Sequence, residues 1–177
     1  LWVNLPAAQK LVSPAYQNLD ADQVKLFTTP DAGTLVRLIA GDIAGIQGPG
    51  STRTPIVMAH ATILPGSQMV LPWNPAFNAL AHVVKGSGFV GIDHHSFGVG
   101  QTAVFGTGDS ITLAASPHEA LDVILLGGQP IGEPVEQYGP FVMNTRAELQ
   151  QAMDDYQRGR LGTVPSGGIQ PYRGPRK

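Results

Sequence analysis

The sequence predicts an all-β fold, a double-sheet jelly roll followed by one C-terminal α-helix. Three observations carry this. The 22 Gly and 15 Pro among 177 residues divide the chain into short segments, the turn density of a β-rich fold. Those segments are brief apolar runs or loose alternations, the length and period of strands. One segment near the C-terminus carries a helical period instead. The strands number roughly eight, which suits two sheets packed face to face.

Residues 1–34, including "SPAYQNLDADQV", are rich in turn formers and lack periodicity; they read as an irregular lead-in and inter-domain linker. "TLVRLIAGDI" is a strand on the apolar run Leu35, Val36, Leu38 and Ile39. "AGIQGPGSTRTP" is a loop, and "IVMAHATIL" is a strand closed by the turn "PGS". "NALAHVVKGSGFVGI" reads as a hairpin about Lys85-Gly86-Ser87-Gly88. "DHHSFGVG" is a loop, "QTAVF" and "SITLAA" are strands either side of "GTGD", and "ALDVILLGG" is a buried central strand. The barrel so defined spans 35–144.

The helix is expected over 145–158. Thr145 and Glu148 form a capping box, and Leu149, Ala152, Met153 and Tyr156 make one apolar stripe. Arg158 favours the negative helix end, and Gly159 offers a cap. Residues 159–177 are a Gly/Pro-rich basic tail.

Composition removes several functions. With no Cys there are no disulfides, thiolate nucleophiles or Cys-based zinc sites, which fits a cytoplasmic protein. Five of the 11 Lys/Arg lie in 158–177, leaving a clear acidic excess on the rest. A nucleic-acid partner would call for a basic face on the folded part. No apolar run is long enough to span a membrane, so no membrane partner is expected. The start "LWVNLP" has no charged n-region and no initiator Met; it reads as a fragment of a longer protein.

The candidate site lies in the barrel. Gly66 and Gly86, then Gly100 and Gly108, are spaced like the two glycine frames of the cupin signatures. Cupins hold one metal among three His and one Glu, because alternate strand residues point into the same interior. Counting from these glycines, the His-x-His positions fall on Pro72 and Asn74, the Glu on Ala79, the second-signature His on Ile111 and its terminal Asn on Ala115. None of the four metal ligands is present, and a catalytic metal needs about three protein ligands.

A second group of residues points to one family. "LWVNLP" at 1–6, "STRTP" at 51–55, "GGQPIGEPVEQYGPFVMNT" at 127–145 and "YQRGRLG" at 156–162 resemble the pirin family. The resemblance covers the whole chain but only the C-terminal half of a pirin. It implies a cupin-type double-stranded β-helix, the second of two cupin domains. The family's iron site belongs to the N-terminal domain, so no cofactor is expected in this chain and iron is expected in the parent protein. The expected partner is that N-terminal cupin domain, or another protein. Some pirins resemble quercetin 2,3-dioxygenases in activity, and the human member is a transcription co-regulator; the resemblance carries neither role onto residues of this chain.

The remaining candidates are weaker. His60 and His82 lie on strands, where a lone His is more often a packed or surface residue than a ligand. Asp93, His94 and His95 are an alternative metal group in a loop, although adjacent strand residues would point apart. His118 and Glu119 follow in another loop. No G-x-S-x-G occurs, and "GSGFVG" has no following helix to bind an anion. Trp73, Phe77 and Phe89 belong to the core or line a barrel mouth.

Overall fold

The structure is a computed structural model describing residues 1–162. Of the basic tail expected over 159–177, everything beyond Gly162 lies outside the described residues. A 3-10 turn at Ala7–Gln9 precedes β1 (Lys25–Thr28), β2 (Thr34–Ala40), β3 (Asp42–Ile43), β4 (Ile46–Gln47), β5 (Ile56–Ile63), β6 (Gln68–Pro72) and β7 (Asn78–Lys85). Then come β8 (Ser87–Val90), β9 (His95–Gly98), β10 (Thr102–Val104), β11 (Ser110–Ala115), β12 (Leu121–Gly128), β13 (Glu136–Tyr138), β14 (Phe141–Met143) and α1 (Arg146–Gln157).

The chain divides into two compact units, Val12–Ile131 and a second made of Leu1–Leu11 with the chain from Gly132 onward. The first holds a six-stranded sheet ordered β1-β2-β5-β12-β7-β10 and a four-stranded sheet ordered β6-β11-β8-β9. Pairing is antiparallel throughout both. Strict alternation fills the space between them. Val36 and Leu38 on β2, Ala59, Ala61 and Ile63 on β5, Ala81 and Val83 on β7, and Leu121, Val123 and Leu125 on β12 are buried, as are Met69 on β6 and Leu113 on β11. These residues form one core cluster drawn from both sheets. The alanines on the central strands β5 and β7 let that core close over larger residues opposite.

The expected hairpin about Gly86 is a corner between sheets instead. β7 ends at Lys85 and β8 begins at Ser87, but β7 pairs with β10 and β12 while β8 pairs with β9 and β11. The link "GTGD", whose pairing the sequence left open, also crosses between sheets: β10 belongs to the larger and β11 to the smaller. Gly86 makes the first corner at φ +81, where a Cβ would collide with the Ala120 carbonyl oxygen. A short glycine-containing link therefore did not identify a hairpin, because tertiary pairing decides the strand's partner. Conversely, the loop expected over "DHHSFGVG" contains β9, which forms a true hairpin with β8. Only Phe97 of β9 is buried, so its polar sequence hid it. The expected irregular lead-in contains the edge strand β1, and β6 occupies the unassigned "QMVLP".

In the second unit α1 forms as the sequence predicts. The Thr145 hydroxyl accepts the Glu148 N–H, and the Glu148 carboxylate accepts the Asn144 N–H. Leu149 and Ala152 are buried, whereas Tyr156 at the stripe's end is 67% exposed and packs edge-on against Phe141. Gly159 takes φ +67, with N–H bonds from Gly159 to Tyr156 and from Arg160 to Asp155 closing a Schellman cap. Glu133 ties distant segments of this unit: one carboxylate oxygen accepts the Ala7 N–H and the Asn144 side-chain amide, each at 2.7 Å.

Two substitutions test these assignments by urea denaturation. Gly86→Ala should destabilise the chain by about 2 kcal/mol or more, the cost of a strained positive φ plus a backbone collision; an unchanged midpoint would remove the corner assignment. Thr145→Ala should cost about 1 kcal/mol through loss of the helix cap.

Candidate functional site

The pleat decides which side chains line the barrel interior. On β6, Met69 and Leu71 turn inward, and the alternation continues to Trp73, whose backbone N–H donates to the Asp109 carbonyl at 2.7 Å. Pro72 and Asn74, the positions reached by counting from Gly66, are exposed. Their inward neighbours are Leu71 at 3% and Trp73 at 6% exposure. The glycine count is therefore one residue out of phase with the strand, because Gly66 sits in a turn at φ +71 ahead of β6. Ala79, Ile111 and Ala115 do face inward and are buried.

The donor set at these positions does not fit a metal. Leu71, Trp73, Ala79 and Ile111 offer no lone pair suited to a divalent cation, since the indole N–H only donates. Among the described residues the one buried polar side chain is Thr34, and its hydroxyl has no partner. The Trp73 indole N–H is likewise unpartnered. A lone hydroxyl and an indole N–H cannot replace three ligands.

The other candidates are scattered. His60 alternates with buried Ala59 and Ala61, and His82 with Ala81 and Val83, so both rings lie on the outer face of the larger sheet. His82 Nδ1 contacts the Thr102 hydroxyl at 2.8 Å. His94 adopts φ +53 in the β8–β9 turn, with its ring 5.9 Å from Phe89, while His95 begins β9 opposite Val90. His118 is exposed, and the Glu119 carboxylate accepts the Ser87 hydroxyl at 2.6 Å. Among the described residues no three His, Asp or Glu side chains come together as a metal group, Asp93, His94 and His95 included. Trp73 and Phe77 line an open cleft of about 340 Å³ with Asp42, Thr52 and Asn74. Phe89 lines a different one, of about 390 Å³, beside Phe97, Ser87 and Ser96.

One polar cluster is well built. Arg37 donates to His60 Nδ1 at 3.2 Å and to the Thr62 hydroxyl at 2.9 Å; that hydroxyl donates to Asp122 at 2.6 Å, and His60 Nε2 lies 3.5 Å from the same carboxylate oxygen. An Arg donor at Nδ1 fixes the neutral ring with its proton on Nε2, facing Asp122. The sequence did not signal this cluster, because its members come from three strands brought into register.

Comparison with known proteins places this geometry. The model of the pirin C-terminal cupin domain matches residues 58–162. The chain belongs to the pirin family. Pirin-1 of Arabidopsis thaliana is 37% identical over 165 residues, covering 92% of this chain and 57% of its own length. Human pirin is 32% identical over 170 residues, covering 92% and 56%. A crystal structure of quercetin 2,3-dioxygenase from Acinetobacter baumannii aligns with a TM-score of 0.83 at 32% identity, covering 92% of this chain and 56% of that one. The two sheets are thus a cupin barrel, and the chain spans just over half the length of the curated relatives it matches.

Burial first, and the Arg37 charge second, hold His60 below the ordinary imidazole value, with Asp122 pulling the other way. The unfolded chain therefore takes up this proton at a higher pH than the folded one. The resulting stability is complete above about pH 6.5 and is lost as acidification carries the pH down through the folded value. Urea midpoints should fall more between pH 7.5 and pH 5 for the wild type than for His60→Gln; equal falls would assign the acid sensitivity elsewhere.

Proposed function

We propose that this domain is a non-catalytic cupin: a metal-free barrel with a structural or protein-interaction role, paired with an N-terminal cupin domain of the same protein. The observation that carries the reading is the inward row Leu71, Trp73, Ala79 and Ile111, which fills the ligand region with packing. The pirin C-terminal cupin match and the coverage of just over half of each relative support a partner domain on the same chain. A rigid filled barrel suits this role, because a dense core gives a second domain a fixed surface to dock on.

A second reading rests on the Acinetobacter baumannii quercetin 2,3-dioxygenase alignment. The parent protein would be an iron-dependent enzyme of that kind, with its metal and its flavonol-like substrate in the N-terminal domain and this barrel supporting it. The two readings agree about this chain and differ about the parent.

The purified chain, incubated with ferrous iron and desalted, should retain far less than one metal per chain by mass spectrometry, and should not cleave quercetin. About one tightly bound metal per chain, lost on His94→Ala, would overturn the reading, as would robust turnover.

A further inference from the structure

The end of the barrel where β2 and β6 finish and β5 and β7 begin carries the cleft of about 340 Å³. Three segments wall it: the β3–β4 hairpin through Asp42, the loop into β5 through Thr52 and Pro55, and the turn after β6 through Trp73 and Phe77. Thr52 and Pro55 belong to "STRTP", whose side chains lie outside the core cluster.

These walls are preformed. Gly41 turns at φ +86, and a Cβ there would collide with the Ile56 carbonyl oxygen, so the hairpin lies tight against the start of β5. Asn74 Oδ1 accepts the Ala76 N–H, and the Asn74 carbonyl accepts the Phe77 N–H, each at 2.9 Å. The Thr52 hydroxyl donates to the Thr54 carbonyl at 2.7 Å. The Trp73 ring lies over Gly127, where a Cβ would come within 2.6 Å of it. Its indole N–H is enclosed and unpartnered, so packing alone holds the ring. Preformed walls spare a ligand the cost of ordering them.

Their chemistry is selective. Trp73 and Phe77 supply aromatic surface, and Pro55, Ile56 and Pro72 add apolar contact. Asp42 is the one charged side chain among the lining residues. Its Oδ1 accepts the Gly45 N–H at 2.9 Å, which positions the carboxylate, and among the described residues it enters no ion pair. Arg53, next to Thr52, donates instead to the Ser13 carbonyl at 3.3 Å. Aromatic rings beside one carboxylate, with no basic lining group, attract an organic cation and disfavour an anion. The volume is that of a small-molecule pocket, at the lower end of the usual range of roughly 300–1,000 Å³.

We propose that this cleft binds a small organic ammonium compound, its apolar body against Trp73 and Phe77 and its ammonium group toward Asp42. This adds a ligand-binding role to the non-catalytic domain and holds whether or not the parent protein is an enzyme.

The chain has two tryptophans, so Trp2→Phe leaves Trp73 as a single indole reporter inside the cleft. In buffer containing EDTA, which keeps metal out of the measurement, phenethylamine should change the Trp73 emission saturably. The dissociation constant expected for so small a ligand is about 1 mM. The uncharged isostere 2-phenylethanol and the anion 3-phenylpropionate should each bind roughly tenfold more weakly or worse, a difference of about 1.4 kcal/mol. Asp42→Asn should reduce the affinity for the amine to that for the alcohol. Asp109→Asn removes an exposed carboxylate that does not line the cleft, and should leave the affinity unchanged. Saturation-transfer NMR on the unaltered chain repeats the ligand comparison without any substitution. Absence of phenethylamine binding by both readouts at tens of millimolar would overturn the proposal. Equal affinity for amine, alcohol and acid would overturn it as well, as would equal losses in the Asp42→Asn and Asp109→Asn variants.

Discussion

The two-residue pleat of two facing antiparallel sheets is the constraint on which the rest of the barrel depends. It sends successive strand residues to opposite faces, so core-facing and outward-facing side chains alternate. Leu38, Ala61, Val83, Leu113 and Leu125 are buried while their neighbours face out. The same rule governs chemistry. A metal site in such a barrel needs its ligands in phase with the pleat, and the in-phase positions here hold Leu71, Trp73, Ala79 and Ile111. Those positions carry packing side chains.

The unit outside the barrel is held by different forces. Among its described residues only Leu149 and Ala152 are fully buried apolar side chains, and caps and a shared carboxylate supplement that burial. The Thr145–Glu148 box starts α1, the glycine cap at Gly159 ends it, and the Glu133 carboxylate joins Ala7 to Asn144. The segments that carry the pirin resemblance, "LWVNLP" and "EPVEQYGPFVMNT", fall in this unit. Glu133, within the second of these segments, ties the chain at Ala7 to Asn144 across more than 120 residues of sequence.

The hydrogen-bonded polar cluster of the barrel lies on its outside. Arg37, His60, Thr62 and Asp122 sit on the outer face of the larger sheet. A titratable group so placed affects stability and association more than catalysis. The open clefts, lined by Trp73 and Phe77 in one case and by Phe89 in the other, bring no group of metal ligands together.

The sequence by itself determined the strand-rich composition, the apolar runs of β2, β5, β7, β11 and β12, the capped helix α1 and the family, because period, capping pairs and long specific segments are local signals. Its glycine count placed Pro72, Asn74, Ala79 and Ile111 at the cupin ligand positions. Only the tertiary structure decided which strands pair, and so turned the link at Gly86 from a hairpin into a corner between sheets. It alone set the phase of β6, which puts Leu71 and Trp73 inside where the glycine count had put Pro72 and Asn74. It alone assembled the Arg37–His60–Thr62–Asp122 cluster. These last features arise from cross-strand register, which is fixed by non-local pairing and by core packing and leaves no spacing in the chain to be read.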